Sequence, residues 1–441
     1  MSNDNLNILI LCNRPTKNSQ AATVFDHLDA FQKYSTHNIF ELSTIHSIPS
    51  RVKLDRFDVI VIHYTLGIGF EHYLNSKTKS IISTSNALKV VFIQDEYRVI
   101  NDVTQSLIDI GADIVFTCVP EGEIEKVYLP DKLPKLTVIN NLCGYVPEHP
   151  DTTPTPLIKD RPIDVGYRSR KMPYWLGTLG VEKWRIVDDF KEHAKDLDLV
   201  LDLSYEESDR IYGDRWPKFL ASCKAVLGVE SGSSVFDFTG DIQHNVEEYM
   251  AKHPNAEFEE VFQKFLKNEE GKIKLNQISP RAFETAALKT LMVLYEGDYS
   301  NILIPWKHYV PLKKDFSNFD EVIEVLNTPS KAQKIVDAAY QDLIIEKTYS
   351  YERFISLFDN VLIREFNRRD FKLNPDSYTQ NSYKFDLYTS IDYLGRYMLS
   401  SILQKMLLNS PPIRKLVFNL WFSLPINFQK RLRPYVRIIN K

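Results

Sequence analysis

The sequence predicts two α/β domains, each built on a parallel sheet, facing one another across a cleft and followed by a helical tail. Three observations predict this. At 441 residues the chain is too long for one ordinary core. Short apolar runs alternate with helix-length segments in both halves, and a proline-rich stretch separates the halves.

Asn7 to Cys12 (NILILC) is almost wholly apolar, as a strand covered on both faces should be, and a helical pattern follows over Ala22 to Tyr34. Phe57 to His63, Lys89 to Gln94, Ala112 to Thr117 and Thr137 to Asn140 repeat the theme. Parallel strands in such alternation open their carboxyl ends onto a shared crevice. Pro147, Pro150, Pro154, Pro156 and Pro162 fix φ and remove donors, so 147–162 reads as an extended linker after a first domain of 1–146. Ile163 to Tyr167, Leu197 to Leu203, Ala225 to Val229 and Thr290 to Tyr295 restart the alternation in a second domain, 163–348. Within it, 237–276 is rich in Glu and Lys and reads as a solvated helical insertion flanking that domain. A helix opens near Tyr349, ends the domains over 349–370, and leaves 371–441 as a basic helical tail.

Hydrophobic content of 44% and charged content of 25% are those of a globular protein. A net charge of −4 argues against a polyanion partner, so no nucleic acid is expected. Cys12, Cys118, Cys143 and Cys223 are widely spaced among apolar residues and read as buried free thiols in a reducing cytoplasm. The polar start leads straight into a strand and is not a secretory signal, and no apolar run is long enough to span a bilayer. After Asp392 no acidic residue occurs. Arg396, Lys405, Arg414, Lys415, Lys430, Arg431, Arg433, Arg437 and Lys441 are interleaved with Leu, Phe and Trp421. Residues 393–441 therefore suit an anionic membrane surface, and a peripheral location on the inner face of the membrane is expected; a hairpin packed on the domains is the other reading.

The segment carrying most chemistry is Ser279 to Ser300, SPRAFETAALKTLMVLYEGDYS. It reads as loop, helix, turn and buried strand, with Glu284 in the first helical turn, where the helix dipole favours a carboxylate. Arg168, Arg170 and Lys171 follow Gly166 at the end of the second domain's first strand, placing cations where a phosphate charge would need them. Glu230, Ser231, Gly232 and Ser233 close another strand with a small polar loop whose backbone N–H groups could cradle an anion. Glu296 and Gly297 close a third, where the chain could approach a ligand closely. In the first domain Asn13, Arg14, His63, Asp95 and Glu96 end strands; Asp95 or Glu96 could deprotonate a hydroxyl, and His63 reads equally as a core histidine.

Ser279 to Ser300 resembles the group 1 (GT4-like) bacterial glycosyltransferases of the GT-B fold, whose pattern SPRxFExAAxxxxMVLYEGxYS it fits. The resemblance covers about residues 7 to 365. It implies two Rossmann-like domains and a nucleoside-diphosphate sugar as co-substrate, with no further cofactor. Glu284 would bind the ribose hydroxyls; Arg168 and Lys171, with Arg170 as alternate, would hold the diphosphate without a metal. Ser279, Arg281, Asn276, Glu296, Gly297 and the 230–233 loop would line the donor pocket. Where the family often places a second Glu, eight positions before Glu284, this chain has Asn276. An acceptor that is a cell-surface glycan or its lipid-linked precursor, and retention of anomeric configuration, are implied as well. The other expectations left open are a nucleotide-sugar epimerase of the same fold and a non-catalytic two-lobed binding protein.

Overall fold

A computed structural model describes residues 5–15, 20–147 and 155–393. The expected two-domain α/β architecture is present. The first domain carries β1 (Asn7–Cys12), α1 (Ala22–Tyr34), β2 (Asn38–Ser43), β3 (Val59–Ile62), α2 (Ser76–Ser83), β4 (Leu88–Ile93), α3 (Ile100–Ile110), β5 (Ile114–Thr117), α4 (Ile124–Val127) and β6 (Thr137–Asn140). Its six strands pair in the order β2-β1-β3-β4-β5-β6, all parallel. Every residue of β1, β3, β4 and β5 is buried, which is why these runs are almost wholly apolar.

The second domain holds β7 (Ile163–Arg168), α5 (Thr178–His193), β8 (Leu201–Ser204), α6 (Arg215–Ser222) and β9 (Cys223–Gly228). There follow α7 (Asp241–Lys252), α8 (Phe258–Val261), α9 (Pro280–Ala287), β10 (Leu291–Tyr295), β11 (Val310–Leu312), α10 (Phe319–Leu326) and α11 (Pro329–Tyr340). The five strands run in the order β11-β10-β9-β7-β8, again all parallel.

The chain then returns to the first domain. α12 (Tyr351–Arg368) starts at Ser350, whose hydroxyl accepts from Arg353 N–H, and buries Tyr351, Phe354, Phe358 and Leu362 in one core with β1, β4 and α1. Asp359 fastens it by accepting from Ser35 Oγ, Thr36 N and Thr36 Oγ1 at 2.8–3.0 Å. α13 (Gln380–Thr389) follows, docked by Tyr383 on the carbonyl of Glu41.

The 237–276 stretch corrects the expectation of a solvated flank. Val246, Phe258, Val261 and Leu266 pack together on Trp175 and Trp184, while Ile273, Leu275 and the preceding Phe236 enter the core of the first domain. Its charged residues are the outer face of a piece that joins both domains. No helix among the described residues is long and apolar enough to cross a membrane. Of the basic tail, residues 394–441 lie outside the described residues.

Candidate active site

Local sequence explains the start of α9. Ser279 is the N-cap, accepting from Arg281 N–H, and Pro280 takes the first helical position, where no donor is needed. Ala282, Phe283, Ala286 and Ala287 face the core. Arg281 and Glu284, three apart, share the opposite side. Beside them, at the carboxyl ends of β9 and β10, lies a shallow open recess whose walls include Gly228, Val229, Ser279, Arg281, Thr285 and Tyr299.

Glu284 Oε2 accepts from Trp216 Nε1–H of α6 at 2.7 Å. Burial pushes its carboxyl above the ordinary range, opposed by Trp216 and the Arg281 charge. The Arg281 guanidinium lies between two rings, 4.9 Å from the centroid of Tyr167 and 5.2 Å from that of Trp216. The stack continues: Trp216 and Phe219 stack at 5.7 Å, and Arg168 covers Phe219 at 4.6 Å.

Lys183, on α5, was not picked out from the sequence. Its ammonium makes one long contact, 3.4 Å to the carbonyl of Gly232. Burial lowers its pKa to about 8; Asp95 opposes that shift, whereas Arg170 and Arg281 add to it. Asp95 belongs to the first domain, so this electrostatic cluster spans the cleft. Among the described residues Lys183, Arg170 and Arg281 have no carboxylate within salt-bridge distance; Arg170 Nε reaches only Met172 Sδ at 3.2 Å. Lys171 is exposed, with its ammonium 5.0 Å above the Trp184 ring. Cations with no carboxylate in direct contact among the described residues, one of them desolvated, are an arrangement that an anion would stabilise.

Several expected residues do other work. Arg168 is largely engaged by protein groups: Nη2 meets Asp202 at 2.7 Å, while Nε and Nη1 bond the carbonyls of Asp209, Tyr167 and Asp202. It ties the ends of β7 and β8 together, with four of its five N–H donors used on the protein. Gly166 is a packing glycine, since a Cβ there would come within 2.3 Å of Cys223 Sγ.

Glu230 is a buried clamp, accepting from Asp298 N and Tyr299 N at 2.8 Å and from Asn276 Nδ2 at 2.6 Å. It holds the turn through Gly297, where a Cβ would meet its carboxyl at 2.6 Å. In the 230–233 loop two of the polar groups are engaged by the protein: Ser231 N bonds Gln277 O, and Ser233 Oγ, buried, bonds Leu176 O and Val235 O. Gly232, at φ +108°, passes tight against Leu275. The N-terminus of α5 is also taken, because Glu270 accepts from Thr178 N at 3.2 Å. Glu296 is exposed and aligned beside β11 through its N–H to Leu312 O.

Of the residues expected in the first domain, Asp95 is the one that acts on the cluster; it is exposed and accepts from Tyr97 Oη at 2.9 Å. Glu96 points inward to Thr117, Cys118 and Tyr128, and burial raises its pKa to about 7. His63 is a core histidine, 3.0 Å from His27, and burial holds both neutral, His27 at about 3. Arg14 forks onto Glu41 and reaches Asp29, and Asn13 N bonds Thr65. None of these three meets the cleft cluster.

The domains meet along a seam. Asp237 N bonds Tyr97 O, Ile100 N bonds Asp237 O, and Asn101 N bonds Phe238 O. Thus the second domain caps the first turn of α3, just after Val99 in a left-handed conformation (φ 44°). Arg98 adds Gln243, and Gln277 Nε2 reaches Cys118 O at 3.0 Å.

No family model and no curated protein matches the sequence. Distant likenesses to solved structures exist. An α-glucosyltransferase solved with UDP and a 13-mer DNA containing an HMU base is 10% identical, over 82% of this chain and 100% of that one, at a TM-score of 0.46. Anabaena HepE, solved with UDP, is 11% identical over 82% and 100%, at 0.42. TarM is 14% identical over 70% of this chain and 54% of its own, at 0.35. All three scores are low, so the likenesses do not say what this chain acts on.

Proposed function

We propose that the protein is a glycosyltransferase that moves a sugar from a nucleoside-diphosphate sugar to an acceptor hydroxyl. One arrangement supports the reading best: Arg170, Lys183 and Arg281, without carboxylate partners among the described residues, beside a carboxylate, Glu284, set at the head of α9. A nucleoside diphosphate matches both features, its vicinal ribose diol donating to Glu284 and its phosphates facing the cations. As the anomeric C–O bond breaks, negative charge grows on the departing diphosphate, and cations fixed there stabilise that change without having to reorganise. Asp95, facing the cluster from the other domain, is the carboxylate in place to take the acceptor's proton. The cations do the work that a metal would do, so full activity in EDTA is part of the proposal; a strict need for Mn²⁺ would contradict it.

Glu284→Gln is expected to weaken nucleotide-sugar binding by about 1.5–3 kcal/mol, the value of a charged hydrogen bond, with the fold intact. Unchanged affinity in calorimetry removes Glu284 from the donor site. A screen of nucleoside-diphosphate sugars by thermal stabilisation identifies the donor, because a ligand bound only by the native state raises its stability. Release of free sugar or transfer to added acceptor separates a transferase from a binding protein, and interconversion of the donor sugar reveals an epimerase.

The acceptor is proposed to be a surface glycan or its lipid-linked precursor, with retention of configuration, reached from the cytoplasmic face of the membrane. The basic composition after Asp392 supports that location, each Lys or Arg near an anionic surface contributing roughly 1 kcal/mol. A chain ending at Asp392 is expected to remain folded and to hydrolyse donor, but no longer to sediment with anionic vesicles. Unfolding on truncation makes the tail part of the core instead.

A further inference from the structure

We infer that Trp216 is a positioning residue of this site, a single side chain that sets both the carboxylate and one of the cations. The inference rests on the proposed donor site and deepens it. Trp216 Nε1–H donates to Glu284 Oε2 at 2.7 Å, while one face of the same indole lies 5.2 Å from the Arg281 guanidinium. The ring is backed by Phe219 in a 27° stack, and Phe219 is backed in turn by Arg168, which Asp202 anchors. Tyr167 closes the other side of Arg281 at 4.9 Å. The order Tyr167, Arg281, Trp216, Phe219, Arg168 runs ring, cation, ring, ring, cation, drawn from β7, α9 and α6.

Each neighbour has a reason to need the indole. A carboxylate has rotational freedom about its terminal torsion, and a donated hydrogen bond fixes which oxygen faces inward. With Oε2 held by Trp216, Oε1 is left to accept from a hydroxyl of the ligand. Arg281 lacks a carboxylate partner among the described residues, so its place is set by the two rings. Trp216 thus fixes the spacing between a diol acceptor and a phosphate cation, the spacing that a ribose 5′-diphosphate presents. It also explains the Arg168 result: that arginine serves the phosphate site from behind, through two rings.

The test uses the full chain and the variants Trp216→Phe, Glu284→Gln and the double variant. Phenylalanine keeps a ring between Arg281 and Phe219 while removing the N–H together with the second ring of the indole. UDP, GDP and ADP are each titrated by calorimetry, and the tightest is carried forward. Trp216→Phe is expected to weaken that nucleotide about tenfold with an unchanged melting temperature. In the Glu284→Gln background it should have little further effect, because the pair acts as one unit. Affinity equal to wild type, or effects that multiply in the double variant, overturns the inference.

A second measurement does not depend on nucleotide binding. The Trp216 indole N–H resonance in ¹⁵N-labelled protein is expected to shift as Glu284 titrates and to stop shifting in Glu284→Gln. A resonance insensitive to pH and to that substitution overturns the pairing. Failure of the wild type to bind any of the three nucleotides, with the resonance behaving as expected, instead sinks the donor reading and leaves the pair standing.

Discussion

Replacing Lys183 with alanine is expected to lower kcat by about 100- to 1000-fold, the size of effect seen when a fixed charge stabiliser is removed. KM for the donor should change less, because the growing charge on the leaving group is felt mainly in the transition state. Lys183→Arg should retain most activity. The pH dependence makes the assignment specific. The free protein holds this ammonium at about 8, so its proton is lost as pH rises through that value. Donor affinity in the wild type is therefore expected to fall above pH 8, and that step should vanish in Lys183→Ala. The stability signature has the opposite sense. Because the native pKa is below the unfolded value, the unfolded chain binds more protons between about 8 and 10.5, and wild-type stability rises with pH across that window. A full-rate alanine variant, or a flat affinity profile, takes Lys183 out of the mechanism.

The largest stability effect is expected at Gly232. Its φ of +108° disfavours any side chain, and a Cβ would lie 1.7 Å from the carbonyl oxygen of Leu275. The obstacle is backbone, so no rotamer change relieves it. Gly232→Ala must push the 230–234 loop off the 275–277 segment and break the Ser231–Gln277 pair, whose two bonds are 2.8 and 3.0 Å. A loss of about 3 kcal/mol or more is expected, the sum of a strained conformation and broken backbone bonds, visible as a lower urea midpoint. Activity should fall with it, since the carbonyl of Gly232 is, among the described residues, the one hydrogen-bond partner of the Lys183 ammonium. A midpoint equal to wild type would show that the loop relaxes freely.

The buried strands were legible because burial on both faces leaves a continuous apolar run, as in NILILC. β2 was not, since it is an edge strand that alternates Asn, Phe, Glu and Leu with neighbours of mixed burial, and β11 is three residues with a central proline. The joining role of 237–276 was hidden by its charges, which cover one face only. In the site, Glu284 and Arg281 were marked by local sequence, as the head of a capped helix carries its own signal. Arg168, Glu230 and His63 misled for a shared reason: a strand's carboxyl end attracts ligands, and it also needs polar groups to close its own backbone. Lys183 and Trp216 gave no signal because each comes from a helix that meets α9 only after the sheet is assembled. Their partners are about 50 to 100 residues away in sequence, beyond what spacing along one element can reveal.

The seam between Tyr97–Asn101 and Asp237–Gln243 has a kinetic consequence. Any rotation that parts the two sheets to admit an acceptor leaves Ile100 and Asn101 N–H without acceptors at the head of α3 and strips Arg98 from Gln243. At about 1 kcal/mol net for each such bond, separation is uphill by several kcal/mol, and the open form is a small fraction of the population. A substrate that requires the open form binds with an apparent affinity reduced by that fraction. For the proposed transferase, turnover is then expected to inherit a gate, with the frequency at which a helix gives up a cap borrowed from the other half of the molecule setting the pace at which the cleft can be filled and emptied.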